Sequence, residues 1–174
     1  MMAHLTELPY GLPGKVYRSP MPFSRLFDPT GSILDAYLDA GVEVVVMLTP
    51  QDEVLDETGL DLQKIYSEHG LQVIVTPVED FSVPDEDDFQ APIRAALGVA
   101  LAGKTMVIHC QAGLGRTGTF AACLAKVIFG IGGEDAVAWV RRYIPGAVQT
   151  AEQVEFVRQF QLHDKDKMQD YIKD

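Results

Sequence analysis

Three short apolar runs, each rich in β-branched residues, constrain the fold of this chain more than any other feature. They are VEVVVMLT at 42–49, LQVIVTPV at 71–78 and KTMVIHC at 104–110. Runs without regular polar alternation are typical of strands that are covered on both faces. Because segments with helical spacing separate them, the runs predict parallel strands that are connected by helices.

Helices are predicted between and after these strands, and the last third of the chain is wholly helical. The first helix has Ser32 as a candidate cap and Gly41 at its end, and the third begins at Asp85 or Asp87. The predicted helices are 31–41, 60–70, 85 or 87 to about 101, 117–129, 134–143, and 151 to 163 or beyond.

These elements predict an α/β fold: a mainly parallel central sheet of about four to five strands, flanked by helices, with a helical C-terminal third. KVYR at 15–18 is a candidate edge strand. No repeat or linker divides the 174 residues, so one domain, 1–174, is predicted. Residues 1–13 are interpreted as an N-terminal extension and 164–174 as an acidic tail.

The charge balance bounds the partners. A net charge of −11 argues against nucleic acid, because phosphate backbones are bound by clustered Lys and Arg. Acidic residues concentrate at 52–61, 79–88 and 164–174, which we interpret as solvated faces and loops. No apolar run reaches about 18 residues and no signal peptide is visible, so membrane insertion is not expected. Two cysteines predict a reducing, cytoplasmic setting rather than a disulfide scaffold.

The stretch HCQAGLGRTGT, 109–119, follows the third apolar run and fits two patterns. Gly113, Gly115 and Gly118 spell G-x-G-x-x-G, but a dinucleotide site also needs a second strand about 20 residues on that ends in Asp or Glu. Nothing after Gly118 predicts that strand, and the loop holds no lysine for a P-loop NTPase. Cys110 and Arg116, with five residues between them, fit H-C-x5-R-T, which accounts for the whole stretch.

A loop between a buried strand and a helix N-terminus directs backbone N–H groups at a bound anion. Arg116 adds a planar fork that matches two phosphate oxygens. The helix N-terminus and nearby cations favour the thiolate of Cys110, which can attack phosphorus. Thr117 can donate its hydroxyl to that thiolate, and His109 can hold the loop from behind. The predicted phosphate-binding residues are Gln111, Ala112, Gly113, Leu114, Gly115 and Arg116.

This loop resembles the signature loop of the cysteine-based protein tyrosine phosphatase superfamily, in the form used by dual-specificity phosphatases. The resemblance extends from GKVYRSPMP at 14–22 to QTAEQVEFVRQF at 149–160. In that family the loop cysteine forms a cysteinyl-phosphate and the loop arginine binds the phosphoryl oxygens. The resemblance assigns these roles to Cys110 and Arg116, with no metal and no cofactor.

A general acid is expected on a loop that faces the cradle, since protonation of the leaving oxygen assists P–O cleavage. The segment PVEDFSVPD, 77–85, follows the second apolar run, and parallel sheets bring the carboxyl ends of their strands to one edge. Asp80 and Pro84 form D-x-x-x-P, which resembles the acid loop of dual-specificity phosphatases. Asp80 is therefore the predicted acid, and Glu79 and Asp85 are expected to be surface carboxylates.

QTAEQ at 149–153 resembles the glutamine-bearing segment of tyrosine phosphatases. Gln149 and Gln153 are four residues apart and share a face if that segment is helical, so one of them could orient the hydrolytic water. The alternative is an ordinary helix start with Thr150 as cap. The chain departs from the family at 144–146, where Ile-Pro-Gly replaces the Arg-Pro-Gly of many members.

The variable loop positions bear on the substrate. Gln111, Ala112 and Leu114 are uncharged, whereas phosphoinositide-cleaving relatives carry lysine there. Tyrosine-specific members are longer and have a deeper pocket, so the resemblance implies a phosphoprotein or phosphopeptide substrate carrying phosphotyrosine or phosphoserine/threonine. Two alternatives remain: a phosphatase of lipid or small-molecule phosphates, and a non-catalytic phosphate-binding module.

Overall fold

The computed structural model describes residues 5–163, and a five-stranded sheet lies at its centre. The strands, in chain order, are β1 Thr6–Glu7, β2 Val16–Ser19, β3 Val44–Met47, β4 Gln72–Val75 and β5 Met106–His109. Their order across the sheet is β1-β2-β5-β3-β4. Only β1 runs antiparallel to its neighbour among these strands. The predicted α/β class with a mainly parallel sheet is confirmed.

Seven helices flank the sheet in this part of the chain, and the predicted helical C-terminal third is confirmed. No helix within residues 5–163 combines the length and apolar character needed to span a bilayer. The helices are α1 Ser32–Asp39, α2 Gln51–Thr58, α3 Leu62–Glu68, α4 Glu86–Leu101, α5 Gly115–Phe129, α6 Gly133–Tyr143 and α7 Ala151–Gln159. Helix α2, which overlaps the acidic 52–61 stretch, was not predicted from the sequence.

Both faces of the central strands are covered by apolar side chains. In β3, Val44 and Val46 join one buried cluster, which includes residues of α4 to α7, whereas Val45 and Met47 join the other, which includes residues of α1 to α3. This division follows from the two-residue period of a strand, which sends successive side chains to opposite faces. The carboxyl ends of β3, β4 and β5 therefore emerge together between two packed layers.

Two predictions about strands are wrong. The 15–18 strand is interior, because β1 pairs with its outer side and β5 with its inner side. Residues 5–13, interpreted as part of an extension, thus supply a strand as well as Leu8 and Tyr10 of the buried core. The 71–78 run is not buried on both faces, because β4 ends the sheet order and leaves Gln72 and Val75 exposed.

The ends of two helices also differ from expectation. Gly31, rather than Ser32, is the N-cap of α1, and the buried carboxylate of Asp28 accepts from the Ser32 and Ile33 N–H groups at 2.8 and 3.3 Å. Helix α7 ends at Gln159 rather than at 163 or beyond. Its carbonyl end is closed by the buried Lys126, whose ammonium donates to the carbonyl oxygens of residues 157, 158 and 160. The predicted acidic tail, 164–174, lies outside the described residues.

Candidate active site

The signature loop connects β5 to α5 at the carboxyl edge of the sheet, where Cys110 is almost completely buried at 2 % exposure. A pocket of about 180 Å³ opens over this cysteine. The pocket brings together most of the predicted site residues, namely Cys110, Arg116, Asp80, Gln111, Ala112, Gly115 and Gln149. Leu26, Phe27 and Phe81 complete its wall, and the sequence analysis predicted none of these three as site residues.

The three loop glycines lie in close contact with neighbouring segments. Gly113 has a φ of +72°, and a side chain there would run into the Ser19 carbonyl oxygen. A Cβ at Gly115 would lie 2.6 Å from Gln149 Oε1, and one at Gly118 would lie 2.8 Å from Ala147 Cβ. The G-x-G-x-x-G spacing therefore presses the loop and α5 against neighbouring segments. Leu114, also predicted to bind phosphate, is the N-cap residue of α5 and packs against the core.

The guanidinium of Arg116 is buried and held by several acceptors. Its side chain is 1 % exposed, and Nη1 donates to Glu53 Oε2 at 2.8 Å and to the Val78 carbonyl at 2.9 Å. Nη2 donates to Glu53 Oε1 at 2.8 Å and lies 3.1 Å from Asp80 Oδ1. Burial alone would lower the pKa of Arg116, but the Glu53 hydrogen bonds and the charges of Cys110, Glu53 and Asp80 raise it overall. The group is thus a fixed cation.

One nitrogen of the Arg116 guanidinium has no hydrogen-bond acceptor in the described chain. Arg116 Nε is buried and lacks a hydrogen-bond acceptor within residues 5–163. A buried charged N–H donor without an acceptor is costly, so such a group indicates a place for an anion. Since Arg116 lines the same pocket as Cys110, an anion bound there would lie against the sulfur.

Glu53 is the functional residue that sequence reasoning missed. It lies in the first turn of α2, directly after β3, and makes a two-point contact with Arg116 across 63 positions of sequence. The interpretation of the acidic 52–61 stretch as a solvated face is wrong for Glu53. The signal was available, because a carboxylate that follows a parallel strand emerges at the same edge as the signature loop.

The predicted acid, Asp80, lies on the loop between β4 and α4 and is half exposed. Its Oδ1 accepts from the Phe81 N–H at 3.0 Å as well as approaching Arg116. Phe81 has a φ of +57°, a strained conformation for a bulky residue, and its side chain is 59 % exposed at the pocket mouth. Glu79 and Asp85 are exposed, as predicted.

His109, predicted to support the loop from behind, contacts the Cys110 carbonyl and the Tyr66 hydroxyl. The ring is fully buried, with Nδ1 3.2 Å from the Cys110 carbonyl oxygen and Nε2 2.8 Å from the Tyr66 hydroxyl. Burial, assisted by the charge of Arg116, lowers the pKa of His109 to about 4, although the contact with the Cys110 carbonyl opposes the shift. The ring is therefore neutral near pH 7. The Thr117 hydroxyl is buried and has no partner in the described chain.

The two predicted glutamines occupy different positions. Gln149 precedes α7 and lines the pocket, so the two glutamines do not share a helix face. Gln153 is buried and forms a capping box with Thr150, while its Oε1 also accepts from the Gln149 N–H at 2.8 Å. Its Nε2 donates to the Ser82 carbonyl at 3.2 Å. Gln153 thus joins the acid loop to the start of α7, and Thr150 is the predicted cap.

Nothing in this site points to a metal centre. Residues 5–163 contain no group of three or more His, Cys, Asp or Glu side chains arranged to hold a metal ion. Both cysteines, Cys110 and Cys123, are free thiols and buried.

Comparison with known proteins agrees with this geometry. A family model described as "Polymorphic toxin system, DSP-PTPase phosphatase" matches residues 23–128, which include Asp80 and the whole signature loop. The tyrosine-protein phosphatase CDC14 of Saccharomyces cerevisiae is 27% identical over 130 residues, which are 75% of this chain but 22% of the yeast protein. The chain thus spans about a fifth of the length of that relative.

Two solved structures extend the agreement to the fold. The active form of Tk-PTP superposes with a TM-score of 0.74 at 28% identity, covering 91% of this chain and 97% of that one. A kinase associated phosphatase with serine in place of its catalytic cysteine reaches 0.82 at 20% identity, covering 95% and 96%, and shows the same fold. The chain belongs to the cysteine-based protein tyrosine phosphatase superfamily and is of its dual-specificity type.

Proposed function

We propose that the protein is a metal-independent phosphomonoester hydrolase that works through a cysteinyl-phosphate and removes phosphate from phosphotyrosine and phosphoserine/threonine in proteins. One observation carries the proposal: Arg116, with its unpaired Nε, lines the same pocket as the buried thiol of Cys110 and the carboxyl of Asp80. Together they supply a nucleophile, an anion clamp and a proton donor within one pocket of about 180 Å³.

In the first step the Cys110 thiolate attacks phosphorus, and the P–O bond to the substrate oxygen breaks. Arg116 holds two phosphoryl oxygens, and Asp80 donates a proton to the leaving oxygen. A phosphoryl group bound at Arg116 Nη2 competes with Asp80, which lies 3.1 Å from that nitrogen. This competition frees the carboxyl to turn toward the leaving oxygen.

In the second step water attacks the cysteinyl-phosphate, and the S–P bond breaks. Asp80, now a carboxylate, accepts the proton of the water, so that inorganic phosphate and the Cys110 thiolate are formed. Gln149 lines the pocket and can orient this water by hydrogen bonding. Gln153 acts indirectly, because it accepts from the Gln149 N–H and donates to the Ser82 carbonyl of the acid loop.

The wall of the pocket supports an amino-acid phosphate rather than a polyphosphorylated one. Leu26 and Phe81, at 73 % and 59 % exposure, are the two most exposed large apolar side chains of the described chain, and both line this pocket. Exposed apolar surface at a pocket favours an apolar ligand group such as the ring of phosphotyrosine. Arg116 is the only cationic side chain that lines the pocket within the described chain.

A reducing, cytoplasmic setting fits this chemistry, because a thiolate nucleophile is active only while it is reduced. The net charge of −11 argues against a nucleic-acid substrate.

The test is hydrolysis of p-nitrophenyl phosphate in EDTA between pH 4.5 and 8. We expect activity in the wild type and none in Cys110→Ser. In Asp80→Asn, we expect the alkaline limb of the pH–rate profile to be flattened. Asp85→Asn, an exposed carboxylate of the same segment, is the control and should behave as the wild type. An inactive wild type that still binds phosphate would instead favour a phosphate-binding module. Activity that survives in Cys110→Ser would overturn the nucleophile assignment.

Matched peptides then address the substrate. One sequence carrying phosphotyrosine, phosphoserine or phosphothreonine is compared with phosphoinositide vesicles. Faster turnover of the vesicles than of all three peptides would contradict the protein-phosphatase proposal.

A further inference from the structure

The segment 147–149, which we call the 147–149 turn, connects the end of α6 to the start of α7 and contains a strained residue. Val148 has a φ of +56°, a left-handed conformation that β-branched residues rarely adopt. Such a conformation persists only where the surrounding contacts hold it. The next residue, Gln149, lines the pocket over Cys110, so the backbone at Val148 decides where the Gln149 side chain lies.

The guanidinium of Arg141 holds both carbonyl groups on either side of the strained Cα atom. Its Nε donates to the Ala147 oxygen at 2.9 Å, and its Nη2 donates to the Val148 oxygen at 3.0 Å. Successive carbonyls point to opposite sides of an extended chain but to the same side of a helical turn. One planar guanidinium can therefore hold both oxygens only while Val148 keeps a helical conformation, which here is left-handed.

The N–H groups of the same two peptide units are held from the other side. The Val148 N–H donates to the Leu114 carbonyl at 3.4 Å, and the Gln149 N–H donates to Gln153 Oε1 at 2.8 Å. Because peptide units are planar, the orientations of these two planes set φ and ψ of Val148. Arg141 provides the carbonyl-side contact of both planes.

The 147–149 turn packs against the first turn of α5, which follows the signature loop. A Cβ atom at Gly118 would lie 2.8 Å from the Val148 nitrogen, and one at Gly115 would lie 2.6 Å from Gln149 Oε1. A change of conformation at Val148 would therefore move the Gln149 amide relative to the phosphate cradle.

Arg141 itself lies outside the pocket wall, in the last turn of α6. Position 144, where many members of the family carry arginine, holds Ile144, whose side chain is fully buried. In this chain the arginine that contacts the 147–149 turn therefore comes from within α6, three residues earlier.

We propose that Arg141 is a positioning residue for the second chemical step, because it fixes the conformation of Val148 that places Gln149 beside the hydrolytic water. The inference rests on the proposed function for its kinetic consequence, whereas its structural consequence can be measured without activity. Water attacks phosphorus, the S–P bond to Cys110 breaks, and the proton passes to Asp80. Arg141 touches none of the reacting atoms.

The conformation of the 147–149 turn gives the first test. The backbone ¹³C shifts and scalar couplings of residue 148, measured by NMR on the full chain, distinguish a positive from a negative φ. We expect a positive φ in the wild type and its loss in Arg141→Met. A negative φ in the wild type, or a positive φ that persists in Arg141→Met, overturns the proposal whether or not the protein is active.

Kinetics with p-nitrophenyl phosphate give the second test. In the two-step reaction kcat/KM depends only on the steps up to the cysteinyl-phosphate, so a slower attack by water lowers kcat and KM together. Arg141→Met should lower both about tenfold, with kcat/KM within about twofold of the wild type. The p-nitrophenolate should then appear in a burst before the steady state. A fall in kcat/KM without a burst, as a general loosening of the site would cause, overturns the proposal.

Arg142→Met is the matched control, since Arg142 is exposed and its replacement removes the same charge from the same turn of α6. It should keep the kinetics of the wild type and the positive φ at Val148. Arg141→Lys keeps the charge but lacks the planar fork, so it should resemble Arg141→Met. If Arg141→Met does not fold, Arg141→Lys supplies both measurements.

A double variant tests whether Arg141 acts through Gln149. Gln149→Ala should show the same joint fall of kcat and KM. Addition of Arg141→Met to Gln149→Ala should change kcat by less than about twofold, because both changes remove the contribution of one side chain. Losses that multiply in the double variant overturn the proposal.

The two ways of failing are distinct. A wild type without phosphatase activity contradicts the proposed function and leaves the measurement of φ at Val148 intact. An active wild type whose kcat is unchanged in a folded Arg141→Met contradicts the positioning role alone.

Discussion

Replacement of Glu53 by glutamine tests the contact on which the anion site depends. Glu53 meets both Nη atoms of Arg116 at 2.8 Å, and its side chain is 21 % exposed against 1 % for Arg116. Glutamine keeps the shape but offers one acceptor oxygen and directs an NH₂ group at the other N–H donor. One charge-assisted hydrogen bond is lost, and the buried cation loses its main counter-charge.

The expected loss of unfolding free energy depends on the contacts that Arg116 keeps in Glu53→Gln. Breaking a buried ion pair by removing one partner costs about 3–5 kcal/mol. The Val78 carbonyl and Asp80 still contact the guanidinium, so we expect a smaller loss, about 2–3 kcal/mol of unfolding free energy. For a domain of this size that corresponds to a melting temperature lower by roughly 4–12 °C. An Arg116 guanidinium that is held less firmly should also reduce kcat/KM by about 10- to 100-fold.

Thermal melts and p-nitrophenyl phosphate kinetics of the wild type, Glu53→Gln and Asp52→Asn measure both effects. Asp52 is the matched control, because it is exposed and lies in the same first turn of α2. Its replacement removes the same charge from the helix N-terminus, which is worth less than about 1 kcal/mol. Equal small effects of the two variants would refute the reasoning, since they would show that the Arg116 contact adds nothing beyond helix electrostatics.

Three further predictions concern single residues. Phe81→Gly should change unfolding free energy by less than about 1 kcal/mol, because relief of the strained φ offsets lost packing, yet raise KM for a phosphotyrosine peptide several-fold; an unchanged KM would exclude Phe81 from substrate binding. Lys126→Met should cost about 2–4 kcal/mol in urea denaturation, because the carbonyls that end α7 lose their donor, and a variant as stable as the wild type would contradict this. Because the pKa of His109 is lowered to about 4 in the folded protein, the unfolded chain takes up this proton first as the pH falls. The unfolding free energy that depends on neutral His109 is therefore fully present above pH 6.5, and about 3 kcal/mol of it is lost as the pH drops toward 4. In His109→Gln, the unfolding free energy from urea denaturation should lose that part of its pH dependence. An unfolding free energy that changes with pH equally in the variant and the wild type would contradict the assignment.

The signature loop could be predicted because it is local. A buried strand, a glycine-rich turn and a helix N-terminus are contiguous from 104 to 129, so residue type and spacing suffice to place Cys110 and Arg116. Asp80 could be predicted for a different reason. It follows another apolar run, and parallel strands bring their carboxyl ends to one edge whichever neighbours they have.

Position across the sheet could not be predicted in the same way. Periodicity distinguishes a strand from a helix but does not say which strand ends the sheet, so β4 looked buried and β2 looked like an edge. The short strand β1 has two residues and shows no periodic pattern at all. Its pairing with β2 is visible only once the chain is folded.

The sequence by itself therefore determined the fold class and was enough to propose the nucleophile, the anion-binding arginine and the acid, because each depends on residues adjacent in the chain or on a general property of parallel sheets. The tertiary structure alone decided that Glu53 forms hydrogen bonds with Arg116 across 63 positions of sequence and that Tyr66 contacts His109 across 43. Such contacts arise when elements that are distant in sequence pack against one another. Their partners are selected by burial and by the need to satisfy every buried polar group, and no local pattern records that selection.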